Sequence, residues 1–175
     1  AHNILYNLLN QANFNHKKYD HKLNNIGVVF DIDDTLLSSF NCNKNIQYGF
    51  LPKYFDNCLK NNNFKYIDPS VNLYNQIRKS GLKTYIITGR RNSKLERKIT
   101  TQNLKIIGIK NWDGLFLRPL NDHNKSVIPY KSGVRKKITQ NGVKILMSIG
   151  DQESDLIGGY TKYMVKLPNP MYYIP

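Results

Sequence analysis

Asp31 and Asp33 stand two residues apart where the apolar run Gly27-Val28-Val29-Phe30 ends, and both carboxylates could face one pocket there. Carboxylates so close repel, so ionising both requires a nearby cation. A third carboxylate, Asp151, follows another apolar run, with Asp155 four residues on. Hard oxygen donors without His or Cys favour magnesium over zinc. With that charge offset, Asp31 can attack phosphorus and form an aspartyl-phosphate, which divides one difficult displacement into two easier ones. Asp33 is placed to protonate the leaving oxygen and then to take a proton from the attacking water. Lys131, the Thr88 hydroxyl and the Gly89 backbone amide could hold the phosphoryl oxygens and stabilise charge where it develops.

These residues need elements that bring them to one place. Gly27 to Phe30 reads as a buried strand, and Lys83 to Ile87 as a second, ending at Thr88-Gly89-Arg90. Leu115 to Leu117 is a third, Lys144 to Ile149 a fourth closed by Gly150-Asp151, and Met164 to Leu167 a last. Helical patterns run from Pro69 to Gly81, from Ser93 to Ile107 and from Ser132 to Asn141. Ser93 with Glu96 three residues later suggests a capped start. Strands alternating with helices predict an α/β fold, a mainly parallel sheet covered on both faces. Ligands of such sheets bind beyond the carboxyl ends of the strands, where Asp31, Asp33, Thr88 and Asp151 all fall. Ile4, Leu5, Leu8 and Leu9 predict an N-terminal helical extension over 1–25, and 36–68 reads as loops and short helices near the site entrance. The proline-rich tail 168–175 is expected to lack regular structure. Taken singly, each residue also has a structural reading: Asp31 and Asp151 as helix caps, Thr88-Gly89 as a turn, Lys131 as a solvated charge. Their joint occurrence, each at the same edge of the sheet, favours the chemical one.

The run Asp31-Ile32-Asp33-Asp34-Thr35-Leu36 resembles the first motif of the haloacid dehalogenase-like (HAD) superfamily. Thr88 resembles its second motif, Lys131 its third, and Gly150-Asp151-Gln152-Glu153-Ser154-Asp155 its fourth. The segments Ile87 to Arg91, Tyr130 to Gly133 and Lys166 to Tyr173 look like the class B acid phosphatase branch, which includes plant acid phosphatases and vegetative storage proteins. The resemblance implies a Rossmann-like three-layer sandwich with a small or absent cap, phosphomonoesterase activity and one Mg2+. The metal would be held by Asp31, the backbone carbonyl of Asp33 and Asp151, with Asp155 orienting Lys131 or a metal-bound water. Relatives in this branch are often dimeric, so a homodimer is an open expectation. Some storage proteins of the branch have lost the nucleophile, whereas this chain keeps Asp31.

At 175 residues the chain is read as a single domain, 1–175. The formal net charge of +14, from 26 Lys and Arg against 12 Asp and Glu, attracts anions. It suits a phosphorylated small molecule, a nucleotide or a nucleic acid, although no block of five basic residues marks a nucleic-acid tail. No apolar run nears the ~20 residues of a membrane span, and no secretory leader is visible, which tilts the expected location toward the cytoplasm. The chain opens at Ala1 rather than Met, which weakens that inference. Cys42 and Cys58 are left open between free thiols and one bridge, and the four histidines are read as surface residues. Arg90, Arg91 and Arg118 are read as surface salt-bridging residues, with a second anion site as the alternative. Competing readings are a nucleotide- or nucleic-acid-end phosphatase, a storage or binding protein keeping the fold, and a receiver module. The last places its aspartate after the third strand rather than the first. An EF-hand loop is excluded by Leu36 at the position that needs Gly.

Overall fold

A computed structural model describes residues 25–48, 51–61 and 64–174. The helix expected around Ile4 to Leu9 lies outside the described residues. The described chain runs β1 (Ile26–Phe30), β2 (Leu37–Ser38), α1 (Phe40–Lys44), α2 (Pro52–Lys60), β3 (Lys65–Tyr66), α3 (Asp68–Lys79), β4 (Lys83–Arg91), α4 (Lys94–Ile106), β5 (Gly114–Arg118), α5 (Ile128–Gln140), β6 (Lys144–Gly150), a 3-10 turn (Glu153–Asp155) and β7 (Tyr163–Lys166). Five strands form one parallel sheet in the order β5-β4-β1-β6-β7. The chain winds from β1 outward to β5, then crosses back to β6 on the other side of β1. The direction of winding therefore switches at the carboxyl end of β1, the usual ligand position in such sheets.

Side chains alternate across the sheet and separate two cores. Val28, Phe30, Ile86, Met147 and Ile149 pack with Val71, Tyr74 and Ile77 of α3 and with Leu104 of α4. Val29, Tyr85, Ile87 and Ile145 pack on the opposite face with Val134 and Ile138 of α5. Helices thus cover both faces, the three-layer α/β sandwich expected from the alternation. Each fully buried Ile or Phe contributes about 1.5–3 kcal/mol by leaving water. In β6 an extra residue intervenes, because Gly27 pairs with Ile145 and Val28 with Met147. That bulge puts Ile145 and Met147 on opposite faces despite their spacing of two.

Two boundaries near the site differ from the sequence expectation. α5 begins at Ile128, four residues before Ser132, because Pro129 is compatible with a first turn whose N–H groups need no helical partner. Lys131 therefore lies inside the first turn of α5. β4 continues past Thr88 to Arg91, with a register shift between those two residues against β5. α4 is capped as expected: Ser93 Oγ accepts from Glu96 N at 3.0 Å, but the Glu96 carboxylate reaches Arg91 N at 2.8 Å. The segment 36–68 holds only β2, α1, α2 and β3 among the described residues, so it adds a small roof rather than a cap domain. β2 and β3 pair antiparallel, Leu37 against Tyr66. Cys42 of α1 and Cys58 of α2 form a disulfide, with Cα atoms 6.2 Å apart, which resolves the alternative left open above.

Candidate active site

The acidic loops follow the adjacent strands β1 and β6. Asp31 comes directly after β1, its amide donating to Ile149 O of β6 at 3.0 Å, and its side chain is buried. Lys131 reaches across from α5 and donates to Asp31 Oδ1 at 2.7 Å and, in a short contact, to Asp155. Asp31, Asp151 and Asp155 each offer an oxygen within 4.8 Å of the others. The fold thus joins β1, β6, the 3-10 turn and α5 in one buried cluster.

Gly150 makes the close turn feasible. A Cβ there would lie 2.2 Å from Asp155 Oδ2, so any side chain would displace the carboxylate. Asp155 Oδ2 also accepts from Gln152 N at 2.9 Å, and Ser148 Oγ donates to Asp155 O at 2.8 Å. The fully buried Arg135 donates to Asp155 O at 2.8 Å, to Gly159 O at 3.0 Å and to Ile157 O. Five hydrogen bonds, four to carbonyls and one to the carboxylate, therefore fix Asp155 and the residues just after it.

Charge in this cluster does not balance. Burial would lower the Lys131 ammonium, but the carboxylates of Asp155 and Asp31 overcome that and hold it above its usual range. Burial, then Asp155, push the Asp31 carboxyl well up, while Lys131 pulls it down. Burial also pushes Asp151 up to about 6, against the donors Asn169 and Gln152. Three buried carboxylates face one ammonium, so positive charge is short, and burial is the larger cause of the upward shifts at Asp31 and Asp151. An all-oxygen donor set short of positive charge, with no His or Cys in it, fits a hard divalent cation such as Mg2+.

Asp33 lies apart from that trio. Its carboxylate is gripped by Arg90, whose Nε and Nη2 donate at 2.9 and 2.6 Å. Arg90 is buried and also donates from Nη1 to Asn103 Oδ1 at 2.9 Å and Thr100 Oγ1 at 3.3 Å. Its guanidinium sits over Phe64, 5.6 Å from the ring centroid. Sequence reasoning placed Arg90 on the surface; the irregularity after Thr88 instead turns it inward and leaves Gly89 exposed. Arg91 and Arg118 meet the loop 119–124: Arg91 binds the carbonyls of Pro119, Leu120 and Asp122, and Arg118 binds Asp122 at 3.1 Å. Thr88 is buried at the end of β4, and its Oγ1 accepts from Arg90 N at 3.2 Å. Nothing lies within 4 Å of the position a Gly89 Cβ would take, so the backbone there is open.

Two further groups escaped the sequence reading. Asp34 has φ 59 and is buried, accepting from Ser39 N at 2.8 Å, Ser39 Oγ at 2.5 Å and Tyr172 OH at 2.5 Å. The tail, although irregular, lies on the acidic loops: Asn169 Nδ2 donates to Asp151 Oδ2 at 2.7 Å. The run Pro168 to Tyr173 was visible in the sequence only as part of a resemblance, with no periodicity to place it.

The chain is also similar to known proteins. Residues 3–175 match the family described as HAD superfamily, subfamily IIIB (acid phosphatase). Acid phosphatase 1 of Solanum lycopersicum is 39% identical over 150 residues, which cover 83% of this chain and 58% of that protein. Vegetative storage protein 1 of Arabidopsis thaliana is 34% identical over 151 residues, covering 84% of this chain and 55% of that protein. The chain thus spans little more than half the length of the curated relatives it matches. The class C acid phosphatase of Bacillus anthracis superposes with a TM-score of 0.65 at 19% identity, covering 85% of this chain and 68% of that one, a likeness of fold.

Proposed function

Because the chain belongs to the subfamily IIIB acid phosphatases of the HAD superfamily, we propose that residues 1–175 are a single catalytic unit that hydrolyses phosphomonoesters in a Mg2+-dependent reaction. The observation that carries this reading is Asp31 itself: a buried carboxylate at the switch point of the sheet, 2.7 Å from Lys131 and beside Asp151 and Asp155.

In the first half-reaction Asp31 attacks phosphorus and the ester P–O bond breaks, leaving a phosphoryl group on the carboxylate. Asp33 gives the leaving oxygen its proton. In the second half, water attacks the same phosphorus, Asp33 takes its proton, and Asp31 is released with inorganic phosphate. Arg90 grips the Asp33 carboxylate with two nitrogens, which fixes the position from which it would give and take that proton. Lys131, the Thr88 hydroxyl and the open Gly89 amide are assigned to the phosphoryl oxygens. Carboxylates of Asp31, Asp151 and Asp155 would hold the Mg2+, with the Asp33 main-chain carbonyl implied by the family pattern. The ion supplies positive charge that offsets the clustered carboxylates and the phosphate dianion.

The test is phosphate release from p-nitrophenyl phosphate with Mg2+, with chelator, and with Asp31→Asn. Turnover should need the metal, and the variant should lose about 10³-fold or more. Equal turnover by Asp31→Asn would sink the reading.

The formal charge of +14 favours a polyanionic substrate as a second reading, a nucleotide or a phosphorylated nucleic-acid end. Binding of such substrates weakens steeply with salt as counterions are released. A phosphorylated oligonucleotide should then be preferred over the small ester at low salt and lose that preference as salt rises. No preference at low salt would remove this reading.

A further inference from the structure

The irregular tail after β7 makes its polar contacts with the two loops that carry the acidic residues. Leu167 N donates to Gly150 O at 2.8 Å, which starts the tail against the end of β6. Asn169 Oδ1 then accepts from Met171 N at 2.9 Å, which fixes the amide so that Nδ2 points to Asp151 Oδ2 at 2.7 Å. The same oxygen accepts from Gln152 Nε2 at 2.5 Å. Gln152 is itself held by the tail, since Ile174 N donates to its Oε1 at 2.9 Å and its Nε2 also meets Tyr172 O at 3.4 Å. One residue of the tail therefore contacts Asp151 directly and two more orient the second donor.

Tyr172 also reaches the other acidic loop, its hydroxyl donating to Asp34 Oδ2. Asp34 sits next to Asp33 in a left-handed backbone conformation that a non-glycine residue rarely adopts. Its carboxylate accepts from Ser39 and Tyr172, so the tail helps hold the turn between Asp31 and Thr35. The tail thus ties the β1 loop to the β6 loop through side chains.

We propose that the segment Asn169 to Ile174 is a strap that positions Asp151 for the divalent cation, with Asn169 and Tyr172 as positioning residues. The donors on Asp151 Oδ2 are neutral amides, which bring no positive charge of their own to compete with the ion. Oδ2 accepts twice, whereas Oδ1 accepts from Thr35 Oγ1 at 3.4 Å, and the strap assigns Oδ1 to the ion. Outer donors of this kind commonly change metal affinity by about 10–100-fold when removed. The inference rests on the phosphatase reading for the purpose of the site, but not for its measurement.

The experiment is calorimetric titration of Mg2+ into the purified chain and into Asn169→Ala, Asn169→Gln and Tyr172→Phe, alongside turnover of p-nitrophenyl phosphate across a Mg2+ series. Circular dichroism and thermal melts without metal report folding. For Asn169→Ala the Mg2+ dissociation constant should rise about tenfold or more, with turnover recovered at saturating metal. The Gln variant, which keeps an amide donor, should recover part of the affinity. Tyr172→Phe should weaken Mg2+ by a smaller factor, since it acts through the neighbouring loop. Folded Asn169→Ala and Tyr172→Phe proteins with unchanged Mg2+ affinity would overturn the strap, even if their melting temperatures fell. Weakened Mg2+ affinity in the variants, alongside a wild-type protein that binds Mg2+ but hydrolyses no ester, would uphold the strap and refute the phosphatase reading. Normal Mg2+-dependent turnover with no effect of the variants would do the reverse.

Discussion

Two Arg–Asp pairs lie at opposite ends of the sheet, and they are built differently. At the amino end Arg78 of α3 meets Asp113, with side chains 33% and 28% exposed, and Asp113 also accepts from Thr84 N at 2.8 Å. At the carboxyl end Arg90 grips Asp33 with two nitrogens, with side chains 1% and 17% exposed. The first pair staples a helix to strand β4 through groups water can reach. The second takes an arginine out of water to aim one carboxylate, and surrounds it with Asn103, Thr100 and Phe64. Exposed ion pairs are worth about 0–1 kcal/mol, whereas removing one partner of a buried pair costs about 3–5 kcal/mol because the other is stranded. Equal chemistry therefore carries unequal consequences, and the more buried pair sits where the proposed reaction uses Asp33.

The sharpest break of this comparison is Arg90→Ala against Arg78→Ala. The first should cost about 3 kcal/mol or more in chemical denaturation and should slow turnover by misaiming Asp33. The second should cost about 1 kcal/mol or less with turnover unchanged. Equal losses would show that burial does not separate the two ends. Arg90→Lys should fall nearer to Ala than to wild type, because an ammonium cannot reproduce the two-nitrogen grip.

A comparable effect is expected from the disulfide, which belongs to the carboxyl end alone. Cys42 lies next to Asn43, whose Nδ2 donates to Ser39 Oγ at 2.6 Å, and Ser39 holds Asp34. Cys58 lies next to Leu59, whose carbonyl accepts from Asn103 Nδ2 at 3.4 Å. The bridge closes a loop with a sequence separation of 16, and loops of about 15 residues gain about 3 kcal/mol from chain entropy. Cys42→Ser with Cys58→Ser should lose stability of that order. Amide exchange should quicken in α1 and α2 but not at the Arg78 corner. Uniform quickening would contradict a local roof.

The smallest effect concerns the rim. Arg118 holds the Asp122 carboxyl down at about 2, with the Asn124 amide adding to it. A carboxyl lowered in the folded state adds stability above its unfolded value, near 3.9, and loses it as pH falls through about 2. Arg118→Gln should therefore flatten the fall of melting temperature between about pH 4 and pH 2 by a small amount. An unchanged profile at low salt would show that this half-buried rim pair contributes nothing there.

Much of this arrangement is legible in the sequence for identifiable reasons. The strands are short apolar runs bounded by Gly, Asp or Pro, and Asp31 and Asp151 each stand immediately past one, so topology alone gathers them. Lys131 could be placed near the site but not in the first turn of α5, because Pro129 reads equally as loop. Arg90 was illegible because a residue after Thr-Gly reads as turn surface, and only the shifted register with β5 turns it inward. Asn169 and Tyr172 were illegible in a different way: no period links an irregular tail to loops more than a hundred residues earlier, such as that of Asp34. The disulfide needed the distance between α1 and α2, which a segment without clean periodicity does not disclose.

Leu146 gives β6 a spare residue. Gly27 faces Ile145 and Val28 faces Met147, so the half-buried Leu146 is passed over by β1. A gene that lost this codon would leave both neighbours in place, since plain alternation would again set Ile145 and Met147 on opposite faces. Loss of a codon between Met147 and Gly150 has no such slack, because β7 pairs with that whole half, up to Gly150 against Lys166, and Asp151 would be drawn back by a full step. Drift in the length of this strand is therefore permitted on one side of Met147 and forbidden on the other, a boundary that homologous sequences can be searched for directly.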